Sequence, residues 1–219
     1  MYVPAPFRED QIAPLHATIR AAGLATLVTM TADGLIASHI PVLLDPDPAP
    51  YGTLLGHLAR PNPQARGAVP GVPALVIVQG PDAYITPNWY ETKRRTGAVV
   101  PTWNYVAVHA YGEVTFFDDP ARLLDIVTRL TDREEARRAA PGMVPGMAPW
   151  AVGDAPASFI AGMLKGIVGF ALPITRLEGK WKMSQNRPPE DRAGVVAGLT
   201  DAGRPEVAAL VAGPSGPDR

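Results

Sequence analysis

Hydrophobic positions along this chain recur mostly at period two, in short runs separated by glycine, proline and aspartate. Between residues 9 and 22 the period is helical instead: Ile12, Leu15 and Ile19 share one face, and Gly23 stands where a left-handed stop belongs. Strands are predicted over 24–30 and 35–44, joined as a hairpin by the turn signal Asp33-Gly34. A third strand covers 53–59. A fourth covers 73–79, where the run Leu75-Val76-Ile77-Val78 reads as buried on both faces. A fifth, long strand spans 100–117. Asp119 is suited to cap a helix that begins at Pro120 and repeats Leu123, Val127 and Leu130 as far as Glu135. The stretch 139–150 repeats proline, glycine and methionine and predicts an exposed loop. A short helix over 156–165 precedes a last strand pair over 166–183, which turns near Glu178-Gly179. Many short strands with few helices predict a mainly β fold, an antiparallel barrel with helical additions. One domain is expected over 1–199. Residues 200–219 are expected to be a C-terminal helix and frayed tail that add little to it.

Composition narrows the partners. Lys and Arg number 20 against 21 Asp and Glu, and the pI is near 6.4, so no positive field is available to hold nucleic acid. No helix-turn-helix pattern is found, so DNA binding is weakly supported. There is no cysteine, which removes thiolate metal sites, thiol nucleophiles and disulfides together. No apolar run of the length of a membrane span (about 18 residues) occurs, and a cytoplasmic protein is expected.

Two runs carry the candidate chemistry. In GKWKMSQNR, residues 179–187, Lys180 and Lys182 fall on one strand face as anion contacts while Trp181 and Met183 form a wall on the other. Ser184, Gln185 and Asn186 follow as a polar trio. In VVPTWNYVAVHAYG, residues 99–112, one face carries Trp103, Tyr105, Ala107, His109 and Tyr111. A flat conjugated ligand with an ionised tail suits the two runs taken together, and ordinary packing explains each taken alone. His39 and His57 lie on predicted strands, where each reads either as a metal ligand or as a hydrogen-bonded core histidine. His57 is followed by Arg60, Asn62 and Gln64, a cluster suited to a phosphate or carboxylate. Asp132, Glu134 and Glu135 alternate with arginines and read as a solvated, salt-bridged helix face. No glycine-rich phosphate loop, zincin helix or nucleophile elbow is present.

The blocks MYVPAPF, GHLARPNPQ, GPDAYITPNWY, VVPTWNYVAVHAYG, GIVGF and ITRLEGKWKMSQNRPPEDRAGVVAGL occur in the order seen in PaiB-like proteins. Over residues 1–199 the chain resembles that family of FMN-binding negative transcriptional regulators. The resemblance implies a split β-barrel, assembled as a homodimer with FMN at the subunit interface. It also implies kinship with split-barrel proteins that hold haem b, including piperazate synthases, which cyclise N5-hydroxyornithine by closing an N–N bond. The cofactor-binding residues so expected are His39, His57, Arg60, Asn62, Trp103, Tyr105, Lys180, Ser184, Gln185 and Asn186. His57, Lys180 and Lys182 are the catalytic candidates, with His57 as the iron ligand if haem is bound. Three positions depart from the family pattern: Ala65 replaces a common tryptophan, Glu134 a histidine and Ala171 a glutamate. These losses favour a pocket with room for a macrocycle. The expected partners are a second copy of the chain and a small-molecule ligand or substrate.

Overall fold

A computed structural model describes residues 1–138 and 148–213. Most of the loop predicted over 139–150 and the frayed tail therefore lie outside the described residues. In chain order the elements begin with β1 (Arg8–Glu9), α1 (Ile12–Ala21), β2 (Ala25–Thr31), β3 (Gly34–Ile40), β4 (Val42–Asp45) and β5 (Thr53–Ala59). They continue with α2 (Gln64–Gly67), β6 (Ala74–Ile85), α3 (Glu91–Thr96), β7 (Thr102–Gly112), β8 (Thr115–Phe117) and α4 (Pro120–Arg138). The last are α5 (Ala157–Leu164), β9 (Ile167–Pro173), β10 (Arg176–Lys182), α6 (Pro189–Asp201) and α7 (Pro205–Ala212). Contacts divide the chain into two compact units. The first comprises residues 1–11, 79–108 and 178–219, and the second residues 12–78 and 109–177.

In the second unit, β2 and β3 form the expected hairpin, in register from Thr31 opposite Gly34 to Ala25 opposite Ile40. Gly34 has φ 110°, in the region that favours glycine, and its carbonyl accepts a 2.9 Å hydrogen bond from the Thr31 hydroxyl. The single strand expected over 35–44 is in fact two. Pro41 has no N–H to give to a ladder, and the chain leaves β3 there to start β4 in a different sheet. That sheet has the order β4-β5-β9-β8, with antiparallel pairing throughout. Phe170 on β9 stands opposite Gly56 on β5 and Phe116 on β8, and it is fully buried. A Cβ added to Gly56 would come within 2.5 Å of the Phe170 ring, so glycine is required by the close approach. The strand expected over 100–117 also breaks, at Glu113-Val114, into β7 and β8.

Helix α4 begins as predicted: the Asp119 carboxylate accepts from the Arg122 N–H at 2.8 Å. Its buried stripe is Leu123, Ile126 and Leu130, and Ile126 and Leu130 pack with Leu43, Leu55 and Phe117. Val127, expected on that stripe, is only half-buried because the face is centred one residue earlier.

The first unit orders its strands β1-β10-β7-β6 and packs α6 and α7 into its core. β6 runs six residues past the predicted end at Gln79, to Ile85, and so supplies Ala83 and Ile85 to that core. The turn expected at Glu178-Gly179 lies instead at 174–175. Gly179 is inside β10, paired with Glu9 of the two-residue β1. β9 and β10 are also not partners, since β9 pairs with β5 and β8. Residues 205–212 add more than expected: Val207, Ala208 and Val211 join Tyr90, Met183, Val195 and Leu199 in the core. Gly194 and Gly198, one turn apart on α6, leave room for Trp89, whose indole and carbonyl any added Cβ would overlap.

Candidate functional site

In the first unit the alternation along β7 and β10 places the candidates as expected. Asn104, Val106 and Val108 are buried on one face of β7, while Trp103 and Tyr105 lie on the other. Trp103 is 55% exposed and meets Tyr84 edge to face, with ring centroids 5.9 Å apart; Tyr84 is itself 49% exposed. On β10, Trp181 and Met183 turn to the core as the predicted wall. The lysine face is more enclosed than a surface contact. Lys180 is buried at 8% exposure and donates to the Tyr2 carbonyl at 3.1 Å. Its ammonium lies 5.1 Å from the Tyr105 ring centroid and 5.6 Å from that of Tyr2. Lys182 donates to the Trp103 carbonyl at 2.7 Å and to the Thr102 hydroxyl.

Burial, and then the positive charges of Lys180 and Arg187, hold the Lys182 ammonium below the ordinary lysine range. The charges acting on Lys182 are both positive, and the ion pairs among the described residues involve none of Lys180, Lys182 and Arg187. Arg187 stacks its guanidinium 4.7 Å from the Tyr90 ring centroid. Three cations thus share one unit with aromatic rings around them; the same unit holds the buried Asp191 carboxylate, which accepts from the Thr92 N–H at 2.8 Å and acts with Arg187 on the Tyr90 hydroxyl.

The polar trio after β10 divides into two roles. Ser184 is buried with φ 60°, and its hydroxyl exchanges hydrogen bonds with the Asn104 amide at 3.0 and 3.3 Å. Gln185 accepts from the Met183 N–H at 2.7 Å and donates to the Trp181 carbonyl. These two side chains build the turn that carries Arg187, whose N–H bonds the Ser184 carbonyl at 3.0 Å. Asn186 is the exposed member.

The second unit holds His39, His57, Arg60 and Asn62. His39 is exposed on β3, with Nδ1 at 3.0 Å from the Thr26 hydroxyl. His57 stands on β5 opposite Gly169. Its Nδ1 is enclosed without a hydrogen-bond partner, and burial lowers its pKa. The same strand face carries Ala171 across from Leu55, the position where glutamate was expected. The space is not open at Gly169, because Phe117 and Leu123 close over it.

Arg60 donates through Nε to the Lys165 carbonyl at 2.7 Å and lies 3.7 Å from the Asp118 carboxylate. Asn62 donates to the Ser38 hydroxyl at 2.8 Å and accepts from the Gln64 N–H at 2.9 Å. Gln64 is fully buried and donates to the Leu27 carbonyl at 3.0 Å. The cluster read as an anion site is thus engaged with the protein's own backbone and side chains. Of the family departures, Glu134 pairs with Arg133 and Arg137, and Ala65 lies on the short helix α2.

The candidates accordingly fall into two groups. Trp103, Tyr105, Lys180, Lys182, Ser184, Gln185 and Asn186 share the first unit, and His39, His57, Arg60 and Asn62 the second. Sequence reasoning passed over Asn104, Tyr2 and Arg187. Asn104 had a signal, a lone polar residue on an apolar strand face, and Arg187 closes the motif already singled out. Among the described residues no group of three or more acidic or histidine side chains is placed to hold a metal ion. No described helix is long and apolar enough to cross a membrane.

Comparison with known proteins places this arrangement. An uncharacterised protein from Emericella nidulans is 36% identical, the match covering 93% of this chain and 94% of that protein. The protease synthase and sporulation protein PAI 2 of Bacillus subtilis is 30% identical over 94% of this chain and 92% of its own. Among solved structures, the FAD and heme binding protein from Mycobacterium smegmatis superposes with a TM-score of 0.53 at 17% identity, covering 80% of this chain and 73% of that one. The antiparallel sheets with helical additions agree with the expected split-barrel class. Residues 1–176 match the family model described as "Putative FMN-binding domain", and with the Bacillus relative this shows that the chain belongs to that PaiB-like family.

Proposed function

We propose that this protein binds FMN, with the flavin phosphate held by Lys180, Lys182 and Arg187 and the ring system against Trp103 and Tyr105. The observation that carries the reading is that Lys182 feels the positive charges of Lys180 and Arg187 while none of the three enters an ion pair among the described residues, which suits a dianionic phosphate. Membership of the family supports the choice of flavin. FMN titrated into the purified protein, followed by flavin fluorescence, should saturate at one per chain. Riboflavin, which lacks the phosphate, should bind at least tenfold more weakly. Equal affinity for the two would remove the cation cluster from the site.

The reading includes a homodimer, motivated by the uncovered Trp103 and Tyr84 pair. A monomeric mass by light scattering at micromolar concentration would remove that part. The chain's near-zero net charge supports ligand binding over direct contact with DNA as the basis of any regulatory role.

A second reading, haem b, is favoured by one feature: burial lowers the pKa of His57 and so favours the neutral imidazole, the form that ligates iron. Since Nδ1 is enclosed, Nε2 is the nitrogen that would face the metal. The visible spectrum of the protein after incubation with haemin separates the two readings, a Soret band standing for haem. If it appears, N5-hydroxyornithine is the substrate to assay and piperazic acid the product.

A further inference from the structure

Helix α4 and helix α5 face each other across a groove of about 610 Å³ in the second unit. On α4 the groove is lined by Leu124, Thr128 and Asp132, spaced four residues apart on a single stripe. The stripe is graded: aliphatic, then hydroxyl, then carboxylate, over about 12 Å at 1.5 Å per residue. The opposite wall is the apolar stripe Ile160, Ala161 and Leu164 of α5, and small residues of the 151–157 segment leave the floor open.

Two further observations point to a ligand. Helix α5, ASFIAGML, has no charged residue and no buried one, and its Ala157, Ile160, Ala161 and Leu164 line the groove. An apolar helix left so uncovered has unfavourable contact with water. The other acidic residues of α4 are all engaged: Asp125 with Arg129, Glu134 with Arg133 and Arg137, Glu135 with Arg138. Asp132 enters none of these ion pairs and is the one charged side chain lining the groove. The solvated, salt-bridged face read from the sequence is salt-bridged at Glu134 and Glu135 and solvated at Asp132, which is exposed and enters none of these ion pairs.

We infer that this groove is a binding site for an amphiphilic amine, its apolar body between Leu124 and the α5 stripe and its ammonium at the Asp132 carboxylate. The single carboxylate matches one cationic group, and the long apolar wall matches an aliphatic or aromatic body rather than a polar chain. The site stands apart from the cation cluster of the first unit in charge sign and in the residues used, so it does not depend on the flavin reading.

The test is isothermal titration of the full chain with octylamine, octanol and octanoate below their micellar concentrations. Octylamine should bind about fivefold more tightly than octanol, a margin set by one partly exposed ion pair, and octanoate most weakly. Asp132→Asn should bring octylamine down to the octanol value without changing octanol. Ala161→Trp, on an exposed helix position, should fill the groove and abolish binding of both. Octylamine no tighter than octanol, an amine preference that survives Asp132→Asn, or binding that survives Ala161→Trp would each overturn the proposal.

Discussion

Both units pair arginines with carboxylates, the first at Arg94–Glu91, Arg95–Glu190 and Arg204–Glu206, and the contrast between them lies in one cluster of the first. In the second unit arginines are matched: Arg129 bonds Asp45 and Asp125, Arg133 and Arg137 share Glu134, Arg138 holds Glu135, and Arg60 lies beside Asp118. In the first unit Lys180, Lys182 and Arg187 are gathered against aromatic rings and carbonyls with only one another as charged neighbours to Lys182. Matched charge on a half-exposed helix contributes a few tenths of a kcal/mol per pair and fixes side chains in place. Unmatched charge in a semi-buried setting costs stability, and a fold retains it where a ligand supplies the missing sign. The second unit therefore reads as scaffold in this respect, and the first as the anion site.

The largest expected effect tests the scaffold half of that contrast. Phe170→Ala empties the space between Gly56 and Phe116 and should cost about 3–5 kcal/mol in denaturant unfolding. FMN affinity of the protein that remains folded should stay within about threefold of the original, since the substitution removes no cation. A small loss of stability would show that the four-stranded sheet collapses around the cavity and is a looser scaffold than its packing suggests.

Exchanging one cation from each unit sharpens the comparison further. Lys182→Met should weaken FMN by about 1.5–3 kcal/mol, the range for a hydrogen bond to a charged group, while leaving stability unchanged or slightly raised. Arg60→Ala should do the reverse. Its loss of the Lys165 carbonyl and the Asp118 contact costs about 1 kcal/mol of stability, and FMN affinity stays within about threefold. Equilibrium dialysis with parallel urea melts reads both. If Arg60→Ala takes more flavin affinity than Lys182→Met, the assignment of the two units is inverted and the GHLARPNPQ segment carries the phosphate.

The pH dependence gives an effect of intermediate size with a distinctive sign. Lys182 has its folded pKa depressed from 10.5 by burial and by Lys180 and Arg187. Between that depressed value and 10.5 the unfolded chain binds more protons, so this residue's contribution to stability rises with pH across the window. Phosphate binding needs the protonated form, so FMN affinity falls with pH across the lower part of the same window. Opposite trends in one variant series, both flattened by Lys182→Arg, would confirm that the residue is charged at the site. An affinity that is level up to the ordinary lysine value would remove Lys182 from it.

What the sequence disclosed follows the range of the interaction. Strand β5 matches its predicted limits, the Asp119 cap sits where expected, and the alternating faces of β7 and β10 are as read, because each depends on neighbours within a few residues. The breaks were harder. Pro41 was visible in the chain, but its consequence, a change of sheet, depends on β4 finding β5 and β9. Likewise Ser184 and Gln185 looked like ligand contacts by type. Their partners are an asparagine 80 residues away and the backbone of their own turn, and only the folded chain reveals that both are already engaged. The contact of Lys180 with the Tyr2 carbonyl spans 178 residues and has no local signature at all.

The smallest expected effect concerns His57, the one candidate of the second unit whose polar group is unmatched. Burial lowers its folded pKa from 6.5, so the folded protein resists protonation that the unfolded chain accepts. The stability it contributes is complete above pH 6.5 and is lost as pH falls from there through the depressed folded value. One proton can account for at most about 1.4 kcal/mol per pH unit, and a partly exposed imidazole should deliver a fraction of that. His57→Gln should flatten the slope of urea-melt stability between pH 6.5 and 5 relative to the parent, with little change at pH 7.5. Addition of haemin sharpens the same experiment. Iron ligation would compete with the proton for the imidazole and make any Soret absorbance decay in that pH interval. A protein whose acid slope is unchanged by His57→Gln, and which shows no Soret band, would leave the His57 face of β5 a purely structural surface beneath Phe117 and Leu123.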